Sequence, residues 1–177
     1  MISRRTFLAA GVAGSAALAA AWWFRNPHGV VHADSATGTL APMDPQTPAI
    51  LAAIVPILLQ AALPDDQIAR NDAIRDTVDN IGRAVQGLPP AAQQELSQLF
   101  ALLAFAPARI ALARVASQWD EASPTEVAAF LDRWRTSGFT LLRSAYDALH
   151  QLTFAAWYGN PRSWSTIGYA GPPALTP

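Results

Sequence analysis

The chain contains no cysteine and no lysine among its 177 residues. The absence of cysteine excludes disulfide bonds, thiolate metal sites, covalent c-type haem and cysteine-ligated iron–sulfur clusters from this polypeptide. Charged residues are also scarce, because they make up 14% of the chain against roughly 25% in an average soluble domain. A chain of this length has room for one domain and a short additional segment, and the domain must rely on its apolar core for stability.

The charges are distributed unevenly along the chain. All 12 basic residues are arginine, and three of them, Arg4, Arg5 and Arg25, precede position 34. All 13 acidic residues lie at or after Asp34, so residues 34–177 carry 9 arginines against 13 acids, a formal net charge of −4. A mildly acidic body disfavours nucleic acid as a partner.

The N-terminus carries the most specific pattern in the sequence. Ser3-Arg4-Arg5-Thr6-Phe7-Leu8 matches the twin-arginine consensus of Ser, Arg, Arg, any residue, Phe and Leu, and a weakly hydrophobic stretch rich in Ala and Gly follows it. We therefore interpret residues 1–33 as a twin-arginine (Tat) signal segment that directs export to the periplasm. The residues that carry the signal are Ser3, Arg4, Arg5, Phe7 and Leu8.

Two fates of this signal segment are open. Val31-His32-Ala33 places short side chains at the positions that a signal peptidase reads, which predicts cleavage after Ala33, and Ala19-Ala20-Ala21 is a second candidate. Alternatively, the run from Phe7 to Phe24 is 18 residues long, just enough to span a bilayer as an uncleaved anchor. In that case the protein would be held at the inner membrane.

The remainder of the chain predicts an all-α fold. Residues 34–47 are interpreted as a flexible arm, because this region is rich in Gly, Pro, Ser, Thr and Asp and has no apolar period. Residues 48–158 show helical periodicity without any stretch of alternating apolar and polar residues. We predict a small bundle of about five to six helices here, with most apolar and aromatic positions in its core. Residues 159–177 are interpreted as an extended aromatic C-terminal docking tail.

Proline, glycine and capping residues predict the ends of the first helices. Thr47 is expected to cap the first helix, which is bent or broken at Pro56 and stopped by Pro64. A second, amphipathic helix is predicted from about Asp66 to Val85, with Ile68 on its apolar face, and Gly87 ends it.

Similar signals divide the second half of the bundle. Pro89-Pro90 open a third helix that is nearly apolar on all sides through Phe105, so we predict that it lies at the centre of the bundle. A short fourth helix is expected to hold Ile110, Leu112, Val115 and Trp119. Ser123-Pro124-Thr125-Glu126 has the pattern of a capping box and opens the fifth helix. A long final helix is predicted through Tyr146, Leu149, Phe154 and Trp157.

The chain changes character after this final helix. Residues 158–173 join three aromatic side chains to three glycines and three prolines, so the segment is predicted to be extended or turned and not helical. Two interpretations are open. The tail could fold back as a strap on its own bundle and bury Trp164 and Tyr169, or it could dock on another subunit.

The leader, the end of the first helix and the tail together resemble a known family. The first helix runs into Ala62-Leu63-Pro64-Asp65-Asp66, and the end of the chain has Trp157-Tyr158, Pro161, Trp164, Ile167-Gly168-Tyr169 and Gly171-Pro172-Pro173. This combination resembles the small Tat-exported third subunit of membrane-bound flavin dehydrogenases, the gluconate 2-dehydrogenase subunit 3 family. The middle of the chain is similar only in its helical texture. The family often continues into a Gly-containing stretch after Pro64-Asp65, whereas this chain proceeds directly to Asp66-Gln67-Ile68, which indicates a shortened loop.

The resemblance implies a noncatalytic subunit of a periplasmic oxidoreductase complex. Its large subunit would be an FAD-dependent dehydrogenase of the glucose-methanol-choline type, which passes electrons to a c-type cytochrome. FAD is expected in that partner and no cofactor in this chain. The large subunit would lack a leader of its own, bind FAD inside the cell, dock on this domain and cross the membrane with it through the Tat translocase. The residues expected to dock the partner are Trp157, Tyr158, Pro161, Trp164, Ile167, Gly168, Tyr169, Gly171 and Pro172. The alternative is a stand-alone periplasmic helical binding or scaffold domain without a redox partner.

Residues suited to catalysis are few. His150 is the one histidine on a predicted helix, and Asp147, three positions earlier, could cap the tail with it or approach the flavin partner. Asp72 and Asp76 alternate with arginines, which is typical of a solvated helix face. The sequence has no second histidine at metal-ligand spacing, no Gly-rich nucleotide loop and no Gly-x-Ser-x-Gly motif. We therefore expect no catalytic, cofactor or metal site in this chain.

Overall fold

The computed structural model describes residues 44–164 and 168–170. The export signal from Ser3 to Leu8, the expected cleavage position after Ala33 and residues 34–43 of the arm lie outside these ranges. Three of the expected docking residues, Ile167, Gly171 and Pro172, also lie outside them.

The described part of the chain is helical and contains no strand, which confirms the predicted all-α bundle. The helices are α1 (Thr47–Leu58), α2 (Gln67–Gln86), α3 (Pro90–Ala104), α4 (Ala106–Ala113), α5 (Pro124–Arg135), α6 (Thr140–Tyr158) and α7 (Pro161–Trp164). Helix α4 begins as one α-helical turn, Ala106–Ala108, and continues as a π-helix, Arg109–Ala113.

Helix α1 lies at the centre of the bundle. It carries no charged residue, its Ile50, Ile54 and Val55 are fully buried, and it packs against α2, α3, α5 and α6. The prediction that α3 is the central helix is wrong. The first half of α3 contains glutamine, glutamate and serine, so that helix buries one face only, through Leu96, Phe100 and Leu103.

Most helix ends follow the predicted local signals. The Asp66 carboxylate accepts a hydrogen bond from the backbone N–H of Ala69 at 2.9 Å and caps α2, and Gly87 is the residue that ends this helix. Pro90 is the first residue of α3. The first helix differs, because Thr47 is its first residue and Gln46 occupies the cap position.

The start of α5 is a complete capping box. Ser123 Oγ accepts a hydrogen bond from the Glu126 backbone N–H at 3.2 Å, and the Glu126 carboxylate accepts one from the Ser123 N–H at 3.1 Å. The hydrogen bond from the Ser123 backbone, with smaller contributions from the Ser123 and Ser117 hydroxyls, holds the pKa of Glu126 below its ordinary value of 4.5.

Replacing Ser123 by alanine is expected to lower the free energy of unfolding by about 1 kcal/mol at neutral pH. Because the pKa of Glu126 is depressed in the folded state, its contribution is present above its unfolded pKa and is lost as the pH falls through the folded value. The difference between variant and wild type should therefore shrink on acidification, which urea unfolding followed by circular dichroism would measure. Thr125→Ala, at an exposed neighbouring position, should change little. An S123A variant as stable as wild type at neutral pH would contradict the capping role.

Helix α4 is shorter than predicted. Arg114 adopts a left-handed backbone with φ of 53° and ends the helix, so the prediction that Val115 and Trp119 are helical is wrong. Both side chains are nevertheless buried in the core, as predicted for apolar positions.

Side-chain donors satisfy the carbonyl groups at these irregular helix ends. Arg109, a buried residue, donates to the carbonyls of Val115 at 3.3 Å and Ala116 at 3.4 Å. The indole N–H of Trp119 donates to the Leu103 carbonyl at 2.9 Å. Two residues of α5 also donate to carbonyl groups at the end of α4. Arg133 donates to the carbonyl of Ala113, and Trp134 donates to the carbonyl of Leu112. The end of α4 is thus held by tertiary hydrogen bonds.

The connection between α3 and α4 is a sharp corner. The two helices are bent by 80° at the break between them, and Phe105 at that break is 60% exposed. Ile110 on α4 is 52% exposed and Ile68 in the first turn of α2 is 74% exposed, so the prediction of these three side chains as core residues is wrong. Within the described residues no single helix is long and apolar enough to cross a membrane, and α3 with α4 meets that test only as a bent pair.

Candidate docking surface

Helix α6 ends at a glycine that the local geometry requires. A Cβ atom at Gly159 would lie 2.7 Å from the carbonyl oxygen of Ala155, which is closer than side-chain carbons approach backbone oxygen. The chain therefore turns immediately after Tyr158 and enters α7.

The tail begins with one helical turn, Pro161–Trp164, so the prediction that the whole tail is non-helical is wrong. Pro161 has the φ angle that a first helical position needs, and the Asn160 side chain accepts a hydrogen bond from the Arg162 N–H at 3.1 Å. The buried Ser163 hydroxyl bonds to the carbonyls of Trp157 at 2.7 Å and Asn160 at 2.8 Å. These contacts fasten the start of the tail to the end of α6.

A groove separates this turn from α2. Arg162 reaches across it to Asp76 on α2, with Nη1 and Oδ2 2.6 Å apart, and Asn80 donates to the Ala156 carbonyl at 3.4 Å. The groove has a volume of about 490 Å³ and is lined by two further residues that carry polar groups, Arg83 and Asn160, together with small residues of α6. Because the side chains of Arg162 and Asp76 are 81% and 42% exposed, their ion pair contributes little stability and mainly orients α7.

Aromatic side chains are exposed on the far side of the same turn. Trp164 Nε1 donates to the Tyr158 carbonyl at 2.8 Å, and its ring meets that of Tyr169 edge to face at 5.2 Å. Tyr158 is 36% exposed and Tyr169 is 48% exposed, while Trp164 is half-buried between them. Gly168, with φ of 67°, turns the chain so that the Tyr169 N–H bonds to the Trp164 carbonyl at 2.9 Å. We call Tyr158, Pro161, Trp164 and Tyr169 the tail cluster.

The expected docking residues therefore divide into two groups. Trp157 is 6% exposed and belongs to the bundle core, so its assignment to a docking surface is wrong. It points inward because it lies four positions after the fully buried Thr153, on the same face of α6. The tail cluster and Gly168 remain at the surface. The strap interpretation, in which Trp164 and Tyr169 are buried, is met only in part, because Trp164 is half-buried and Tyr169 stays accessible.

A second aromatic feature, which the sequence analysis treated as core, runs along α6. Tyr146, His150, Phe154 and Tyr158 follow one another at intervals of four, with ring centroids 5.8, 4.2 and 5.8 Å apart. Side chains four apart share a helix face, so the spacing itself was the signal that could have predicted this row. The row ends at Tyr158 and is therefore continuous with the tail cluster.

The residues that the sequence suggested for catalysis or metal binding do not form a common site in the described part of the chain. His150 is stacked on Phe154 with an interplanar angle of 18°, and no hydrogen bond joins it to the exposed Asp147 in the described residues. Asp72 pairs with Arg75 at 3.0 Å, as expected of a solvated helix face. Nowhere in residues 44–164 and 168–170 do three His, Cys, Asp or Glu side chains meet in a group that could hold a metal ion.

No protein-family model matches this chain, and neither does any curated protein or solved structure. Its function must therefore be argued from its own residues.

Proposed function

We propose that this chain is the noncatalytic small subunit and export escort of a periplasmic FAD-dependent dehydrogenase of the glucose-methanol-choline type. The observation that carries the proposal is the tail cluster, an exposed aromatic surface at the part of the chain where the resemblance to the small-subunit family is most detailed. The twin-arginine pattern from Ser3 to Leu8 supplies the export half of the proposal.

The tail cluster has the properties of a protein-binding surface. Tyrosine and tryptophan are enriched at interface hot spots, since each combines a large apolar ring with a polar atom at its edge. Here the Trp164 ring is held by its own bond to the Tyr158 carbonyl, and the Tyr169 ring packs edge to face against it where the Tyr169 backbone bonds to the Trp164 carbonyl. Binding therefore orders few side chains, and more of the contact energy remains as affinity.

The escort role follows from the contrast between the leader and the body. The Tat route carries proteins that fold before crossing, often because a cofactor must be loaded in the cytoplasm. This chain has a Tat pattern but no recognisable cofactor motif. We therefore place the cofactor in a leaderless partner that binds FAD, docks on the tail cluster and is exported with this chain. A c-type cytochrome would then accept the electrons.

Co-expression tests both halves of the proposal. The proposal expects a leaderless flavin dehydrogenase to be encoded beside this chain, and that enzyme should reach the periplasm, with its bound flavin and its activity, only when the full chain is co-expressed. Replacing Tyr158 and Tyr169 together by serine should weaken co-purification of the two proteins by roughly 10- to 100-fold, the usual loss for aromatic anchors of an interface.

Phe139→Ser is the matched control for the tail-cluster variant. Phe139 is 64% exposed and lies at the other end of the 19-residue α6, about 28 Å away at 1.5 Å per residue. It should leave co-purification unchanged. Equal periplasmic activity with and without this chain would refute the escort role, and it would favour a stand-alone helical scaffold.

A further inference from the structure

The corner between α3 and α4 exposes a purely apolar surface. Every exposed residue between positions 100 and 111 is apolar, and these residues are Ala101, Phe105, Ala106, Ile110 and Ala111. Ala101 and Phe105 lie four apart at the end of α3, and Ala106 and Ile110 lie four apart on α4, so each pair shares a face. Phe105 and Ala106 are consecutive residues at the 80° bend, so the two pairs adjoin there, and we call these five exposed residues the apolar corner.

In the stretch of sequence that forms the apolar corner, every charged residue is an arginine. No acidic residue occurs between Glu95 and Asp120, whereas this stretch contains Arg109 and Arg114. Arg133 of α5 adds a third guanidinium, because it donates to the Ala113 carbonyl at the end of α4. This local excess of positive charge contrasts with the net negative charge of residues 34–177.

None of these three arginines is neutralised by an ion pair among the described residues. The nearby carboxylate of Glu126 is instead bonded to the hydroxyls of Ser117 at 3.3 Å and Ser123 at 3.0 Å. Arg109 is buried with only carbonyl groups as partners, and Arg114 is exposed directly after α4. The apolar corner is thus followed by one exposed guanidinium, Arg114, and its stretch of sequence contains the buried Arg109, and neither has a carboxylate partner among the described residues.

We propose that the apolar corner inserts into the headgroup layer of an anionic phospholipid membrane. Phe105 and Ile110 would enter the boundary with the acyl chains, while the exposed Arg114 faces lipid phosphates and the buried Arg109 adds to the local positive potential. An uncharged surface would gain nothing from the basic groups that lie behind these bulky apolar side chains. The proposal is independent of the tail cluster, which lies on α6 and the segment that follows it.

The absence of cysteine allows a direct test on the full chain. Single substitutions Phe105→Cys and Ile110→Cys would each provide a unique site for an environment-sensitive fluorophore. With vesicles of phosphatidylglycerol and phosphatidylcholine, both labels should shift to the blue and brighten several-fold, and phosphatidylcholine alone should produce little change. Since a label reports only its own surroundings, binding of the leader to lipid does not mimic the result.

Ile68→Cys provides the matched control. Ile68 is even more exposed than Ile110, at 74%, but it follows Asp65 and Asp66 in an acidic stretch, so its label should not respond. In the unlabelled chain, the double substitution Phe105→Ser and Ile110→Ser should reduce the part of the affinity for anionic vesicles that the apolar corner contributes, by roughly tenfold. Arg114→Gly should reduce it as well, because it removes a charge at a φ of 53° that glycine accepts.

Three results would overturn the proposal. One is an equal response of the label at position 105 to neutral and anionic vesicles, and another is an equal response of the label at position 68. The third is a blue shift that grows with protein concentration in the absence of lipid, which would identify a second copy of the chain as the occupant of the apolar corner.

Discussion

Replacing Arg4 and Arg5 together by lysine is expected to abolish export of this chain and, under the proposed function, of its flavoprotein partner. The change keeps the net charge of the leader and replaces two guanidinium groups by two ammonium groups. A guanidinium is planar and offers five fixed hydrogen-bond donors, whereas an ammonium is a compact point charge. Fractionation of cells followed by immunodetection would measure the exported fraction.

Arg25→Lys is the control for that experiment. It makes the same chemical change in the same segment but outside the Ser3 to Leu8 pattern, so export should continue. Export of the Arg4/Arg5 variant at the wild-type level would show that the segment works as an ordinary signal or anchor. In that case a folded, cofactor-loaded partner could not be carried by it.

Replacing Trp134 by alanine is expected to produce the largest loss of stability, about 3–5 kcal/mol. The side chain is 1% exposed and meets the ring of Phe130 edge to face at 4.7 Å. Its indole N–H also bonds to the Leu112 carbonyl at 3.1 Å, so truncation leaves both a cavity and an unpaired carbonyl. Urea unfolding followed by far-ultraviolet circular dichroism would measure the change.

A milder variant separates the two contributions of Trp134. Trp134→Phe keeps an aromatic ring and removes the donor, so it should cost about 1–2 kcal/mol. Arg135→Ala at the next position removes an ion pair with Asp132 whose side chains are 57% and 63% exposed, and it should change the free energy of unfolding very little. If Trp134→Ala were as stable as Arg135→Ala, the packing described for α5 would be incorrect.

The parts of the fold that the sequence predicts well are those governed by a few adjacent residues. Asp66 caps α2 through the backbone three positions later, and Ser123 caps α5 in the same manner. Pro90 and Gly87 act through the conformational limits of their own backbone. Such signals need no partner elsewhere in the chain, which is why the helix boundaries that depend on them could be predicted.

The parts that could not be predicted depend on distant residues. The end of α4 is held by Arg133 and Trp134, 20 and 22 positions away from the carbonyls that they bond. Helical periodicity identifies an apolar side chain, but it does not reveal that Phe105 sits at a break where the chain changes direction by 80°. The exposure of that side chain is a property of the corner and not of the residue type.

In the candidate docking surface, too, some features could be predicted from adjacent residues and others could not. Proline and glycine predicted that the chain turns after Tyr158, and the aromatic content predicted an adhesive segment. Trp157 is among the expected docking residues because Trp157-Tyr158 belongs to the pattern that resembles the small-subunit family, yet the two side chains point in different directions from consecutive positions of α6. The four-residue interval from Tyr146 to Tyr158 is enough to predict a row of side chains on one face of the helix. That prediction is an alternative to placing every aromatic residue in the core.

The central position of α1 has a consequence for the order of events during synthesis. This helix is the first of the bundle to be translated, but two of its neighbours, α5 and α6, are among the last. From Leu58 to Tyr158 the ribosome must add 100 residues, which takes about 5–20 s at typical elongation rates. During that interval the least polar helix of the bundle can pack only against α2 and α3, and the part of its surface that α5 and α6 later cover is a target for chaperones. The core therefore closes only after α6 has been translated, and any machinery that accepts folded cargo can act on the bundle only from that point on.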